Sequence, residues 1–227
     1  MALMTGTTGD EATTAPSERT RIRRFPKRGH YDCATIHAIL DAGLLCHVGY
    51  VIDGQPYVTP TMHWRVGQHV YWHGSSASKM LRAQKAAIPV CVTVSLLDGI
   101  VFARSGFNHS ANYRCVMALG EADLVEDEAE KLQTLAAFSD RLAPGRWKHL
   151  RPPTGQELKA TTIMRISLDE AVAKVRSGPP GDDEADYALP VWAGVLPLST
   201  VAGKPIPCPR LAPGTTMPDY LETLVAG

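Results

Sequence analysis

A hairpin signal between two β-rich segments most constrains what this chain can fold into. Residues 44–52 and 57–64 are rich in β-branched and aromatic side chains, and Asp53-Gly54 separates them. Asp-Gly suits the left-handed backbone of a tight two-residue turn between antiparallel strands. Further β-rich segments follow at 69–73, 90–97, 101–104, 113–125, 162–167 and 171–175. The sequence therefore predicts a mainly β fold with antiparallel strands.

Helices are expected only as insertions between these strands. Asp32 fits an N-cap, after which apolar residues recur at 36, 39 and 40 and Gly43 ends a short amphipathic helix. Residues 75–87 and 127–142 also have helical patterns, and a second pair, Asp98-Gly99, predicts another hairpin. Because helices do not alternate with every strand, the pattern favours an antiparallel barrel over a βαβ fold.

Charge and cysteine content exclude several classes of protein. The 227 residues carry 23 Lys+Arg and 23 Asp+Glu, so the chain lacks the basic surface of a general nucleic-acid-binding protein. We expect no nucleic-acid partner and no membrane partner, since no apolar run approaches a membrane span. The first 30 residues contain no secretory signal, and the five cysteines form no C-x-x-C pair. We therefore expect a cytoplasmic location.

Composition divides the chain into three parts. Residues 1–24 are expected to form a disordered and basic N-terminal arm, residues 25–198 the barrel, and residues 199–227 an extended C-terminal tail rich in Pro and Thr. The basic arm has two interpretations, a solvated segment or one that reaches a phosphate or a partner subunit.

A candidate anion site lies where a strand enters a helix. Residues 70–80 read VYWHGSSASKM, which places three serines and Lys79 at the start of the second predicted helix. Unpaired N–H groups at a helix N-terminus, together with hydroxyls and an ammonium, suit a phosphate. The alternative is that Ser75 or Ser76 only caps the helix and Lys79 is solvated.

The preceding strand contains a proline. In residues 54–64 (GQPYVTPTMHW), Pro60 cannot donate a hydrogen bond to a neighbouring strand. This strand is expected to be an edge or to be locally irregular, which leaves backbone groups free for a planar ligand. Protection of an ordinary sheet edge explains the same proline equally well.

Read together with residues 112–116 (NYRCV), 174–180 (KVRSGPP) and 190–197 (PVWAGVLP), these two segments resemble a known family. Their order and spacing are similar to those of the pyridoxamine 5′-phosphate oxidase-related FMN-binding split-barrel proteins, in particular the bacterial flavin-nucleotide-binding subgroup. The resemblance extends from about residue 24 to residue 197.

The resemblance implies a six-stranded antiparallel split β-barrel that forms a homodimer with FMN at the subunit interface. The strand containing Thr61 and Met62 would run along the flavin ring. His73 would lie near the ribityl chain, and Ser78 and Lys79 would contact the phosphate. A second strand would bring Asn112, Tyr113 and Arg114 to the flavin, and Trp192 of the partner subunit would pack near the ring.

The chain also departs from the vitamin B6 oxidases of this family. Those enzymes have an Arg-Lys pair where this chain has Ser78-Lys79, and a Gln where it has Cys115. They end in an Arg-rich substrate segment, whereas this chain continues into its Pro/Thr tail. We therefore do not expect oxidation of pyridoxine or pyridoxamine 5′-phosphate.

Two functions remain open from the sequence. The first is an FMN-dependent oxidoreductase that acts on an unidentified small molecule, without an assigned catalytic acid or base. The second is a non-enzymatic protein of the same fold that stores or senses FMN or haem. Some split-barrel relatives bind haem, and several histidines are candidates for its axial ligand: His63, His69, His73, His109 and His149. No metal-ion site is expected.

Overall fold

A computed structural model describes residues 14–225 of the protein. Its strands are β1 (Gly29–His30), β2 (Leu45–Ile52), β3 (Gln55–Val66), β4 (His69–Ser75), β5 (Pro89–Phe102), β6 (Ser110–Glu121), β7 (Asp123–Leu124), β8 (Thr161–Ser167), β9 (Ala171–Arg176) and β10 (Gly194–Pro197). Its helices are α1 (Cys33–Ala42), α2 (Lys79–Gln84), α3 (Glu128–Leu142), α4 (Gly155–Ala160) and α5 (Asp219–Val225).

The strands form one antiparallel sheet that curves around an apolar interior. Their order is β1-β9-β6-β5-β2-β3-β4-β8-β7, with β10 paired to β5. The mainly β, antiparallel class predicted from the sequence is thus confirmed. The resemblance implied six strands; the described part of the chain contains ten, and β1, β7 and β10 are short segments of two to four residues that each pair with a longer strand.

Two apolar clusters lie on opposite sides of the sheet. Inside the barrel, Trp72 and Leu81 are fully buried, and α1 packs Ile39 and Leu40 into the same cluster. Outside it, α3 packs Phe138 against a smaller cluster around Trp64, Tyr71, Val125 and Ile163. The long helix therefore covers the outer side of β3 and β4.

One buried hydrogen bond attaches α3 to the sheet. The indole Nε1 of Trp64 donates to the hydroxyl of Thr134 at 2.6 Å, and both side chains are buried. We expect Thr134→Val to lower the free energy of unfolding by about 1–3 kcal/mol, because it leaves a buried N–H without an acceptor. Urea denaturation followed by tryptophan fluorescence measures this. Thr134→Ser keeps the hydroxyl and is the matched control; equal losses in both variants would contradict the explanation.

Another part of the sheet surface carries several exposed apolar side chains. We call it the outer face: positions 45, 47 and 51 of β2, 58, 60 and 62 of β3, and 93, 95 and 97 of β5, which alternate with buried or half-buried positions and are aligned by strand pairing. Leu45, Val51, Val58 and Leu97 are exposed there, and Val58 is 67% exposed. An apolar surface of this kind is typical of an interface.

Some local predictions are confirmed by the structure and others are wrong. Asp53-Gly54 forms the expected turn with positive φ at both residues, and Asp32 caps α1 by accepting from the Thr35 amide. The hairpin at Asp98-Gly99 is wrong: β5 continues through both residues with a bulge, since β6 and β10 pair with its second half.

The second predicted helix is also much shorter than expected. Instead of residues 75–87, only Lys79–Gln84 are helical. Ser75 still belongs to β4, where it pairs with Thr161, and Ala87 has a left-handed φ of 52°. The predicted strand 113–125 is divided into β6 and β7, because β7 pairs with β8 instead of continuing beside β5.

The two ends of the chain are described only in part. The predicted disorder of the arm concerns residues 1–24, of which 1–13 lie outside the described residues. Within the described part, the Ser17 hydroxyl donates to Glu170 at 2.5 Å, and Thr20 is buried. In the tail, residues 198–218 form no regular helix or strand, and α5 follows them. The boundaries at 24 and 198 remain predictions.

None of the helices between residues 14 and 225 is long and apolar enough to cross a membrane.

Candidate functional site

The candidate site is an opening between β3 and β4. These strands pair only from His63↔Trp72 to Val66↔His69, whereas residues 55–62 of β3 pair with β2 alone. Within the described residues, one edge of β3 is therefore unpaired along 55–62. We call this opening the split. Pro60 lies on its free edge, as the sequence predicted.

Three predicted site residues lie where the split begins. Thr61 and Met62 are the first residues of β3 beyond the last pair with β4, and His73 is the corresponding residue of β4. His73 points toward α3, because its ring lies 5.0 Å from that of Phe138 and 5.6 Å from that of Trp64. Burial lowers the pKa of His73, so a neutral ring is favoured.

The remaining residues predicted for this part of the site lie at the start of α2. Ser78 is the N-cap residue, but its side chain makes no capping hydrogen bond, which leaves the hydroxyl available. Lys79 is exposed and extends to the other side of the split, where its Nζ donates to the Tyr57 hydroxyl at 3.0 Å. That bond raises the pKa of Lys79. A permanently charged ammonium at this position suits a phosphate.

Arg114 and its neighbours occupy a different part of the same chain. Between β6 and β3 lie β5 and β2, so the two strands are separated by roughly 14 Å along the sheet. Arg114 makes a two-point ion pair with Asp98, at 2.7 and 2.9 Å, which raises the pKa of the arginine. Both side chains line a cavity of about 390 Å³ together with residues of the C-terminal tail.

The other three residues predicted for this part of the site differ in how exposed they are. Asn112 is buried: its Oδ1 accepts from Arg176, and its Nδ2 donates to the Gly178 carbonyl at 3.1 Å. It therefore holds the loop after β9 in this structure. Trp192 precedes β10 and is 70% exposed, with its ring 6.1 Å from that of Phe102. Tyr113 is half-buried on β6.

The structure thus divides the predicted residues into two groups within one chain. The split group contains Thr61, Met62, His73, Ser78 and Lys79. The β6 group contains Asn112, Tyr113, Arg114 and Trp192. In one chain, β5 and β2 lie between the strands that carry these groups.

Sequence reasoning missed two partners of these residues. Asp98 was interpreted as a hairpin residue, and the opposite charge at Arg114 was the only signal that pointed to its ion pair. Tyr57, the partner of Lys79, was predicted only as part of a strand. Tyr50 of β2 pairs with Tyr57, and the two rings stack with their centroids 5.5 Å apart. The Tyr50 hydroxyl lies 3.1 Å from the Thr59 hydroxyl.

Comparison with known proteins gives the family. A sequence model described as "Pyridoxamine 5′-phosphate oxidase" matches residues 32–175, which is more than half of the chain. The chain belongs to this family. The match includes both strands that border the split, α2 and β6, but ends before Trp192. No curated protein matches the sequence.

Two solved structures are similar over nearly the whole chain. The flavocytochrome Anf3 from Azotobacter vinelandii is 48% identical, with a TM-score of 0.89; the match covers 92% of this chain and 98% of Anf3. The FAD and haem binding protein from Mycobacterium smegmatis is 36% identical, with a TM-score of 0.84, and the match covers 87% of this chain and 97% of that protein. Family and relatives both support a flavin-binding fold.

Lys79 gives a direct test of the phosphate position. If Lys79 holds the phosphate as predicted, Lys79→Ala should weaken flavin binding about 10- to 100-fold, because it would remove a charge-assisted contact with a phosphate oxygen. Titration of flavin-depleted protein, followed by quenching of flavin fluorescence, measures the affinity. Lys85→Ala is the matched control, since Lys85 is an exposed lysine at the other end of α2. An unchanged affinity in Lys79→Ala would remove the phosphate from this end of the split.

Proposed function

We propose that the protein is a homodimeric redox protein that binds both a flavin and a haem. The observation that carries this proposal is the likeness, over nearly the full chain and at 48% and 36% identity, to a flavocytochrome and to an FAD and haem binding protein. The sequence suggested FMN with haem as the alternative; we now propose the two kinds of cofactor together.

The residues of the split fit a flavin. The free edge of β3 offers backbone N–H and C=O groups to the polar edge of a flat ring, and the unpaired hydroxyl of Ser78 and the charge of Lys79 suit its phosphate. These residues provide few contacts to a single FMN phosphate, since α2 supplies one lysine and has only six residues. We therefore favour FAD, whose second phosphate and adenosine provide further contacts.

A second copy of the chain would cover the outer face and bring its Arg114 to the split. The outer face exposes Leu45, Val58 and Leu97, and two-fold pairing of such a face is the common way for a homodimer to cover it. In the dimer we propose, Lys79 of one protomer and Arg114 of the other approach the same flavin. The flavin is then shielded from water by apolar side chains, including Trp192.

A bound flavin exchanges two electrons, and a haem iron exchanges one. The chain's own residues bind and orient these groups: Arg114 is kept charged by Asp98, and α3 holds His73 in place through Phe138. We propose an oxidoreductase that takes electrons from a small reduced donor. Oxidation of pyridoxine 5′-phosphate is not proposed. A cytoplasmic location rests on the cysteine pattern of the sequence.

Identification of the cofactors tests this function. The protein is purified after expression with a haem precursor, and its cofactors are released by acid and separated by liquid chromatography with mass detection. We expect FAD together with haem b, each close to one per chain. FMN without haem would restore the simpler interpretation from the sequence. Absence of both, even after reconstitution with flavin and haemin, would overturn the proposal.

A further inference from the structure

His109 has a ring whose orientation is set by a contact with the backbone. Its Nδ1 lies 2.8 Å from the Ser105 carbonyl oxygen. A carbonyl only accepts hydrogen bonds, so Nδ1 carries the proton and Nε2 presents a free lone pair. Metal-binding histidines show this arrangement, in which a bond from one ring nitrogen fixes the tautomer and orientation of the other.

The surroundings of His109 suit a flat apolar group. The Phe102 ring stands edge-on to the imidazole at 5.8 Å. Two residues before His109, Phe107 is 95% exposed in the helical turn Gly106–Asn108. Phe107 is therefore available to contact a flat apolar group beside the histidine.

The other histidines are less suited to an axial position. His63 also has a ring nitrogen bonded to a carbonyl, that of Leu40, but the side chain is 1% exposed and its second nitrogen is enclosed. The Nδ1 of His73 is buried. The Nε2 of His37 is hydrogen-bonded to the Gln68 side chain. Within residues 14–225, His63 and His109 are the two histidines that have a ring nitrogen bonded to a backbone carbonyl.

We infer that Nε2 of His109 is the axial ligand of the haem, and that Phe102 and Phe107 contact the porphyrin. The inference rests on the proposed function, because it assigns a ligand to the haem proposed there. His109 was one of five histidines that the sequence left open. The geometry around Ser105 and the exposed phenylalanine distinguish it from the rest.

The test compares His109→Ala with His149→Ala. His149 is a matched control, since it is also exposed and its ring packs 5.3 Å from an aromatic one, that of Tyr220. Haem per chain is measured by pyridine haemochrome, the Soret band by absorption, and the iron spin state by electron paramagnetic resonance. We expect His109→Ala to retain flavin, to lose haem at least about tenfold and to show an altered spin state. His149→Ala should match the wild type.

A ligand role is separated from a structural one by His109→Gly with added imidazole. Free imidazole should restore the Soret band of this variant, because it replaces the missing ligand in the space left by the side chain. If His109→Ala binds haem with the wild-type spectrum, or if imidazole restores nothing, the inference is wrong. If the wild type itself takes up no haem, the proposed function fails instead.

Discussion

Val58→Arg is expected to convert the protein into a monomer and to remove most of its flavin. Val58 is 67% exposed at the centre of the free part of β3, on the outer face. A charge there must be desolvated when two apolar faces meet, and its repeat by symmetry places like charges at one interface. The fold of the single chain should be unaffected, since the side chain points into solvent within it.

Two measurements follow from this expectation. Light scattering after size exclusion gives the mass, and absorption near the flavin maximum gives the cofactor content, which should fall at least about tenfold if both protomers contribute to the site. Val66→Arg is the matched control: Val66 is a 37% exposed valine of the same strand, in the part of β3 that pairs with β4 and outside the outer face. A Val58→Arg monomer with full flavin content would show that one chain suffices.

Acid should destabilise the protein through His63. Burial lowers the pKa of His63 from its ordinary value of 6.5 to about 4; the nearby charge of Arg141 acts in the same direction, while the Leu40 carbonyl and Asp41 oppose it. Below pH 6.5 the unfolded chain takes up a proton that the folded chain refuses, so stability falls as the pH falls. The loss amounts to about 3 kcal/mol between pH 7.5 and pH 4.

The measurement is the free energy of unfolding in urea across this pH range. His63→Gln keeps a side chain that can donate to Leu40 but does not titrate. Its stability should therefore fall by about 3 kcal/mol less than that of the wild type over the same interval. His149→Gln, at an exposed position, should follow the wild-type curve. Parallel curves for the wild type and His63→Gln would show that protonation of this ring is not what destabilises the fold.

The local signals that proved reliable are those in which one residue type serves one backbone geometry. Asp32 caps α1, and Asp53-Gly54 adopts two left-handed conformations that few other pairs tolerate. Asp98-Gly99 is the same dipeptide but lies in a bulge of β5. Its conformation is decided by pairing with β6 and β10, which are distant in sequence, and by the ion pair with Arg114. Short-range patterns contain no information about such partners.

The candidate site was predictable to a similar extent. The proline on a free strand edge and the lysine at the start of α2 follow from their own chemistry, and both lie at the split. That Arg114 lies two strands away, across β5 and β2, follows only from the strand order. The fixed tautomer of His109 depends on one carbonyl four residues earlier, and no sequence pattern predicts that contact.

The central claim is that Lys79 of one protomer and Arg114 of the other hold the same flavin. Co-expression of Lys79→Ala and Arg114→Ala chains, each of which should lose flavin as a homodimer, tests it directly. A mixed dimer has one site with both residues intact, so a statistical mixture should regain about a quarter of the wild-type flavin content. Mixed dimers shown by native mass spectrometry to form without any recovery of flavin would contradict the account.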